Sequence, residues 1–389
     1  MIILCSIISL FISFFILHWI NFSNKINNNY GVISITGSRA FLAGFVALSH
    51  SNHFLYTLNG NKWIFDKDYK IYFGLDNFYS NSGKIGVLIF FMISGFLFYR
   101  CIYNPTFNAK EMIKKRILRI VPMYWFSLLL IITFGLIFLD FKFNLIAFIQ
   151  TIKWALFIGN FKIGNLSTAD INQGVEWTLK IEWLLYLSIV ILSISLKKFN
   201  NKIKDLFVIV SILLILSIAT LMRIYCDFYV DPRPTLGFFT GFIAFRLSDK
   251  LSILKNNNIA SIIAIFCFII SFFITSNTFY YIVIFLFSSI FFLIISSGNN
   301  LFTFLSNKTI VSLGEVSYSI YLLHGLVLSI LVRFIPDGTQ LNYFTCIAFS
   351  VVFFLSTAFI AKITYLFIEK KFYIKQSEFN KISFLKLFY

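Results

Sequence analysis

Apolar runs of about 20 residues, the length a helix needs to cross the ~30 Å hydrocarbon layer of a bilayer, recur along almost the whole chain. They lie near 2–20, 34–50, 84–103, 120–139, 177–196, 205–225, 235–248, 259–276, 279–297, 315–334 and 343–366. Backbone polar groups inside hydrocarbon must be satisfied within the segment that carries them, so each run is predicted to be helical. With 59% hydrophobic and 13% charged residues and a mean hydropathy of +0.84, the predicted fold class is all-α. The chain reads as a polytopic integral membrane protein of about eleven transmembrane helices.

Charge supplies the orientation. The formal net charge of +17 would suit nucleic acid, but the basic residues fall in short loops between apolar runs, where they set membrane topology. The bilayer is therefore the expected partner and nucleic acid is not. The loops 104–119, with Lys110, Lys114, Lys115, Arg116 and Arg119, and 197–204 are placed in the cytoplasm. A single crossing at 120–139 then leaves the cytoplasm and 177–196 returns, which makes 145–158 re-entrant or interfacial on the outer side. Alternation puts the N-terminus outside and the lysine-bearing tail inside.

The opening run has no basic n-region and no small-residue cleavage motif, so it is read as a retained helix. The cysteines, Cys5, Cys101, Cys226, Cys267 and Cys346, have neither paired spacing nor a neighbouring histidine, and no metal is expected. Three regions result: an extra N-terminal helix and loop (1–30), a membrane domain (31–372) and a cytoplasmic tail (373–389). The outer segment from Ser51 to Gly83, polar and aromatic, suits a lid or a polar-ligand surface.

Function is sought in the polar residues at membrane depth, which are expensive there and normally face a protein interior or a wet cavity. Arg39 and His50 share the run SRAFLAGFVALSH, about 16 Å apart along one helix. GVLIFFMISGFL carries a Ser-Gly step that permits close helix contact. Arg116 and Arg119, three apart in KKRILRIVPMYW, share a helix face and can fork onto phosphate oxygens; ordinary positive-inside charge against lipid headgroups fits the spacing too. Glu182, four residues before Tyr186, can orient a histidine or arginine, take a substrate proton, or serve as a structural partner of Arg39 or Arg233. Ser317, Tyr321 and His324 form one stripe of a helix, suited to a ligand or to a polar packing contact. His18 has no polar neighbour at helical spacing and is read as structural.

Taken in order, these segments resemble the acyltransferase-3 family of membrane O-acyltransferases from about Ser38 to Phe372. Arg39 and His50 match the family's first-helix Arg and His, and GVLIFFMISGFLFYR resembles its G-V-x-L-F-F-x-x-S-G-F-L helix. Arg116 and Arg119 match R-x-x-R-I-x-P, while Trp177, Leu179, Glu182 and Tyr186 fit W-S-L-x-x-E-x-x-x-Y. LGEVSYSIYLLH fits the late L-G-x-x-S-Y-S-x-Y-L-x-H, Arg233 looks like a later arginine, and FIEKKF resembles the terminal F-I-E-x-P-F. Leu88, Thr178 and Lys371 depart from the pattern, and an extra span precedes the family's usual first helix. The chain resembles the stand-alone members, without an extracellular esterase-like domain.

The resemblance implies an acyltransferase of the bacterial inner membrane that moves an acyl group to a hydroxyl of a cell-surface polysaccharide or its lipid-linked precursor. The expected donor is acetyl-CoA, its phosphates held by Arg116 and Arg119. His50 is expected to act as general base or transient acyl acceptor, with Glu182 setting its tautomer and Arg39 or Arg233 stabilising developing charge. Trp177, Arg233, Tyr321 and His324 are expected to position substrate, and His53, one turn beyond His50, is an alternative to it. The competing reading is a transporter or flippase of a lipid-linked glycan, with the same residues lining a path.

Overall fold

A computed structural model describes residues 2–22, 32–51, 76–225, 231–274, 280–336 and 342–372. The described residues are helical apart from connections and one two-stranded hairpin, and they run in the order the apolar pattern implies. Helix α1 spans Ile2–Trp19, α2 Ile33–Ser51, α3 Asp76–Tyr103, α4 Ala109–Phe138 and α5 Leu145–Ala155. Strands β1 (Lys162–Ile163) and β2 (Leu166–Ser167) pair antiparallel and lead into the short α6, Thr168–Asn172. Then follow α7 (Trp177–Ser195), α8 (Asn201–Tyr225), α9 (Gly237–Arg246), α10 (Ser248–Leu251), α11 (Asn258–Phe273), α12 (Tyr280–Ser296), α13 (Lys308–Glu315), α14 (Ser317–Val332) and α15 (Tyr343–Thr364).

Asparagine does much of the work of starting these helices. The side chains of Asn108, Asn144, Asn257, Asn307 and Asn342 each accept a hydrogen bond from a first-turn backbone N–H, which satisfies a donor that the helix itself leaves open. At Asn342 the bond is reciprocated, since Thr345 Oγ1 accepts from the Asn342 N–H at 3.0 Å.

The outer surface is that of a protein dissolved in lipid. On α8, Leu206, Phe207, Val210, Leu213, Leu214 and Leu221 are all exposed, while Ser34, Ser38, Asn81, Ser94, Glu176, Lys180, His324 and Glu369 are buried inside the bundle. A water-soluble fold buries the first set and exposes the second. Charge collects at two ends. At one, Arg246 Nε lies 3.0 Å from Asp205 Oδ1, which also takes the Tyr103 hydroxyl, so the end of α3, the start of α8 and the end of α9 meet. At the other, Arg233 pairs with Asp231, and Lys84 lies within electrostatic reach of both.

Five described helices are long and apolar enough to cross a membrane, or seven if each of two bent pairs counts as one span. That supports a multi-pass all-α membrane protein and leaves the expected number of eleven unestablished. The shortfall has identifiable causes. Helix α9 has ten residues, about 15 Å, and cannot cross alone. The run at 315–334 is preceded by α13, which meets α14 at 72°, and the 259–276 run is bent by 100° from the short helices before it. Helix α5, which is not among the eleven expected spans, has eleven residues with Leu145, Ile146 and Phe148 exposed and is too short to cross.

Two boundaries move. Arg116 and Arg119 are not in a loop: α4 begins at Ala109, leaving 104–108 as the connection, and Lys202 and Lys204 likewise sit on α8. Hydropathy marks where hydrocarbon ends, whereas a helix continues beyond it as long as its polar side chains reach water.

The half-length α9 is held by backbone contact. Gly237 and Gly241, a G-x-x-x-G pair, pack on α3, Gly237 against Leu88 and Met92 and Gly241 against the Ser-Gly step; a Cβ on Gly95 would come within 2.7 Å of Phe238 O and within 3.3 Å of Gly241 Cα. No larger residue fits, which is how small residues let helices pack where lipid competes for every apolar surface.

Candidate active site

Helix α2 is unbroken from Ile33 to Ser51, and its two ends carry the two halves of the site. Near its start, Arg39 enters a cavity of about 120 Å³ shared with Arg116 and Arg119 of α4, Glu182 and Tyr186 of α7, Ser94 of α3, and Ser317, Tyr318 and Tyr321 of α14. The space is comparable to the ~150 Å³ cavity that accepts benzene in an engineered apolar core, room for one small polyatomic group. Three guanidiniums here converge from two helices.

The acidic side chains order these arginines. Glu182 Oε2 accepts from the Tyr186 hydroxyl at 2.9 Å, and Ser94 Oγ lies 3.5 Å from Oε1. The Glu182 carboxylate is in electrostatic contact with Arg116, Arg119 and Arg39. A second carboxylate, Glu369, closes the π-helical turn Tyr365–Glu369, takes the Ser319 hydroxyl, and interacts with Arg119 and Arg39. Three positive charges against two negative leave the group suited to an anion.

Arg116 offers the clearest opening. Its guanidinium lies over the Phe98 ring, 4.6 Å from the centroid, and its buried Nε has no hydrogen-bond partner among the described residues. Ser317 Oγ is buried and unpartnered in the same sense. Such donors are costly unless a ligand takes them, and a phosphate oxygen is the acceptor a guanidinium fork fits best.

At the far end of α2, about 16 Å from Arg39 by helical rise, His50 meets His324. His50 Nδ1 lies 2.8 Å from His324 Nε2; the ring planes differ by 6° and the centroids are 5.0 Å apart. That separation is an edge-to-edge, in-plane hydrogen bond, since face-to-face rings would be closer. His324, fully buried, has Nδ1 3.2 Å from Ile320 O. A carbonyl only accepts, so Nδ1 of His324 carries the proton and the neutral ring presents a bare Nε2. His50 therefore donates from Nδ1, and its own Nε2 holds the lone pair.

Tyr321 joins the two halves. It lines the arginine cavity, its ring centroid is 6.2 Å from that of His324, and its hydroxyl donates to Val175 O at 3.0 Å and contacts Thr178 Oγ1 at 2.9 Å.

A family model described as an acyltransferase domain, that of acyltransferase-3, matches residues 32–361. The chain belongs to this family. It is an acyltransferase, as the resemblance implied, and the matched span begins within α2's approach and ends inside α15. No curated protein and no solved structure matched.

Of the residues singled out in the acyltransferase sequence, the structure gathers Arg39, Arg116, Arg119, Glu182 and Tyr321 at one cavity and joins His50 to His324. It keeps two others apart. Arg233 binds Asp231 through Nε and Nη2 at 2.9 and 2.7 Å and covers the Tyr281 ring, away from Glu182. Trp177, at the start of α7, makes an edge-to-face contact with Phe91 and does not line the cavity. The group bonded to His50 Nδ1 is His324, not Glu182, which lies among the arginines of the cavity. His53 lies outside the described residues.

Sequence reasoning passed over Ser94, Ser319 and Glu369 as participants. FIEKKF was visible, but nothing in its spacing tells that Glu369 returns to Arg39 and Arg119 across more than 200 residues.

Proposed function

We propose that the protein transfers acetyl from acetyl-CoA to a hydroxyl of a cell-surface polysaccharide or its lipid-linked precursor, at the bacterial inner membrane. The observation that carries this reading is the single helix that takes Arg39 into an arginine cavity and His50 onto His324. One end suits a phosphorylated donor and the other suits proton removal. Arg116 and Arg119, on the cytoplasmic side in this reading, hold donor phosphates; the orphan Nε of Arg116 and its shelf on Phe98 support that assignment.

In the transfer, the acceptor oxygen bonds to the thioester carbonyl carbon while its proton passes to His50 Nε2. The carbon–sulfur bond breaks, and the proton leaves with the thiol. His324 fixes the His50 tautomer and stabilises the imidazolium by accepting from Nδ1, the part a carboxylate plays in a hydrolase triad. Glu182 and Glu369 hold the arginines in place.

The test is NMR and mass analysis of surface polysaccharide from a host with and without this gene, before and after mild alkali. A gene-dependent, alkali-labile acetyl group is the expected result. An unmodified glycan whose surface amount falls without the gene would replace this reading with translocation of a lipid-linked glycan.

A further inference from the structure

A second group of buried polar atoms lies outside the arginine cavity, at the start of α6 and in the turn that links it to α7. Thr168 Oγ1, Gln173 Nε2 and Oε1, and Glu176 Oε1 have no hydrogen-bond partner among the described residues, though Thr168, Gln173 and Glu176 are 0%, 3% and 2% exposed. Four such atoms in nine residues is a large local debt of hydrogen bonds, since each buried orphan costs about 1–3 kcal/mol. The backbone adds to it. Gln173 has φ +62°, a left-handed conformation that a side chain with Cβ adopts at a cost, and Gly174 follows at +61°.

The turn is nevertheless firmly tied down. Asn172 Oδ1 accepts from Gly174 N at 3.0 Å, and its Nδ2 donates to Glu176 Oε2 at 3.1 Å. Lys180, one turn further on, interacts electrostatically with Glu176 and donates to Gly159 O at 2.6 Å. The anchoring partner is α14. Tyr321 donates to Val175 O and Ser329 donates to Ile171 O at 2.8 Å, one contact on each side of His324 in sequence. Between them the backbones touch: a Cβ on Gly325 would lie 2.7 Å from Asn172 Cα. Gln173 and His324 are thus the immediate chain neighbours of two residues in backbone contact.

We propose that Gln173, Glu176 and Thr168 form the subsite for the acceptor, and that they recognise a polyhydroxylated ring, a sugar, beside the histidine pair. The unpartnered atoms offer two carboxamide N–H donors, carboxamide and carboxylate acceptors, and a hydroxyl that does both. Vicinal hydroxyls, which donate and accept alternately, complement that set. A phosphate only accepts and would meet the Glu176 carboxylate, and an alkyl chain satisfies none of the four atoms. The proposal rests on the reading that places transfer to a sugar hydroxyl at His50.

The test uses the full chain in membrane vesicles, with host polysaccharide de-acylated by mild alkali as probe. Binding of this glycan is measured without donor, and transfer of labelled acetyl from acetyl-CoA is measured with it, for the wild type, Gln173→Gly and Gln173→Asn. Gly removes both the orphan amide and the backbone strain, whereas Asn keeps an amide, tolerates positive φ and shortens the reach. The expected result for Gln173→Gly is a rise of about tenfold in glycan Kd and KM with acetyl-CoA KM unchanged and a melting temperature no lower than wild type; Gln173→Asn falls between. Unchanged glycan Kd in Gln173→Gly, or a lowered melting temperature with both KM values unchanged, overturns the subsite and makes the amide a structural, water-bonded group. Glycan binding that Gln173→Gly weakens, in a wild type that transfers no label, keeps the subsite and sinks the acetyl-transfer reading instead.

Discussion

His50 and His324 come from helices 274 residues apart in sequence and share one in-plane hydrogen bond, Nδ1 to Nε2, at 2.8 Å. Because Ile320 O holds the other nitrogen of His324, the direction of that bond is fixed for the neutral pair, and His50 Nε2 is the basic atom. The relationship separates what the two histidines do, and kinetics can show the difference.

Replacing His50 by Ala removes the proposed base and should lower kcat by about 10²–10⁴-fold. His324→Ala should cost less, and His324→Gln less still, because a carboxamide oxygen can accept from His50 Nδ1. Steady-state rates of the three variants, with donor KM unchanged in each, check the ordering. Equal loss in His324→Gln and His324→Ala would place His324 in the chemistry itself.

Arg116→Ala should raise donor KM by roughly 10- to 100-fold, the range for losing a charge-assisted hydrogen bond, and Arg116→Lys should recover little. The guanidinium lies over the Phe98 ring and keeps a buried Nε donor, which an ammonium does not reproduce. Donor titrations at saturating acceptor distinguish this from general charge attraction, in which Lys would restore most of the affinity.

Gly95→Val should destabilise the protein by about 1–3 kcal/mol, the usual cost of overpacking, since its side chain would run into the Phe238 carbonyl. Thermal unfolding in detergent reads the change. Wild-type stability in this variant would mean that α9 is free to move away from α3.

Asp231 and Arg233 should couple by less than about 1 kcal/mol in a double-mutant cycle of thermal stability, because the pair is partly open to solvent, with side chains 11% and 28% exposed. Arg233→Ala should leave donor KM as it is. A changed donor KM would bring Arg233 back to the site from which its ion pair now separates it.

The helices were legible because the bilayer imposes one rule on every segment that enters it, and α2, α3, α7, α8 and α15 follow the apolar runs closely. What the runs conceal is depth. The segment around Gly237 is as apolar as a full crossing, and only its glycine contacts with Leu88, Met92 and Gly95 reveal that it packs as a short helix. In the site, Arg39 and Glu182 stood out since charge at depth is rare, and Arg116 and Arg119 by their shared helix face at the expected cytoplasmic edge. The joining of His50 to His324 and the return of Glu369 depend on how distant helices are placed, which no local spacing encodes. The turn at Gln173 was hidden for another reason: NQGVEW reads as an ordinary polar loop until its burial is known.

An α-helix is nearly incompressible along its axis, so the eleven residue steps from Arg39 to His50 act as a ruler. In the proposed transfer its length, about 16 Å, is the gap the donor bridges between the arginine cavity and His50. The acyl group at the tip is unmeasured by that ruler; the arm that carries it is gauged. Inserting or deleting a residue between the two would also rotate His50 by about 100° away from His324, so the same segment sets reach and aim together.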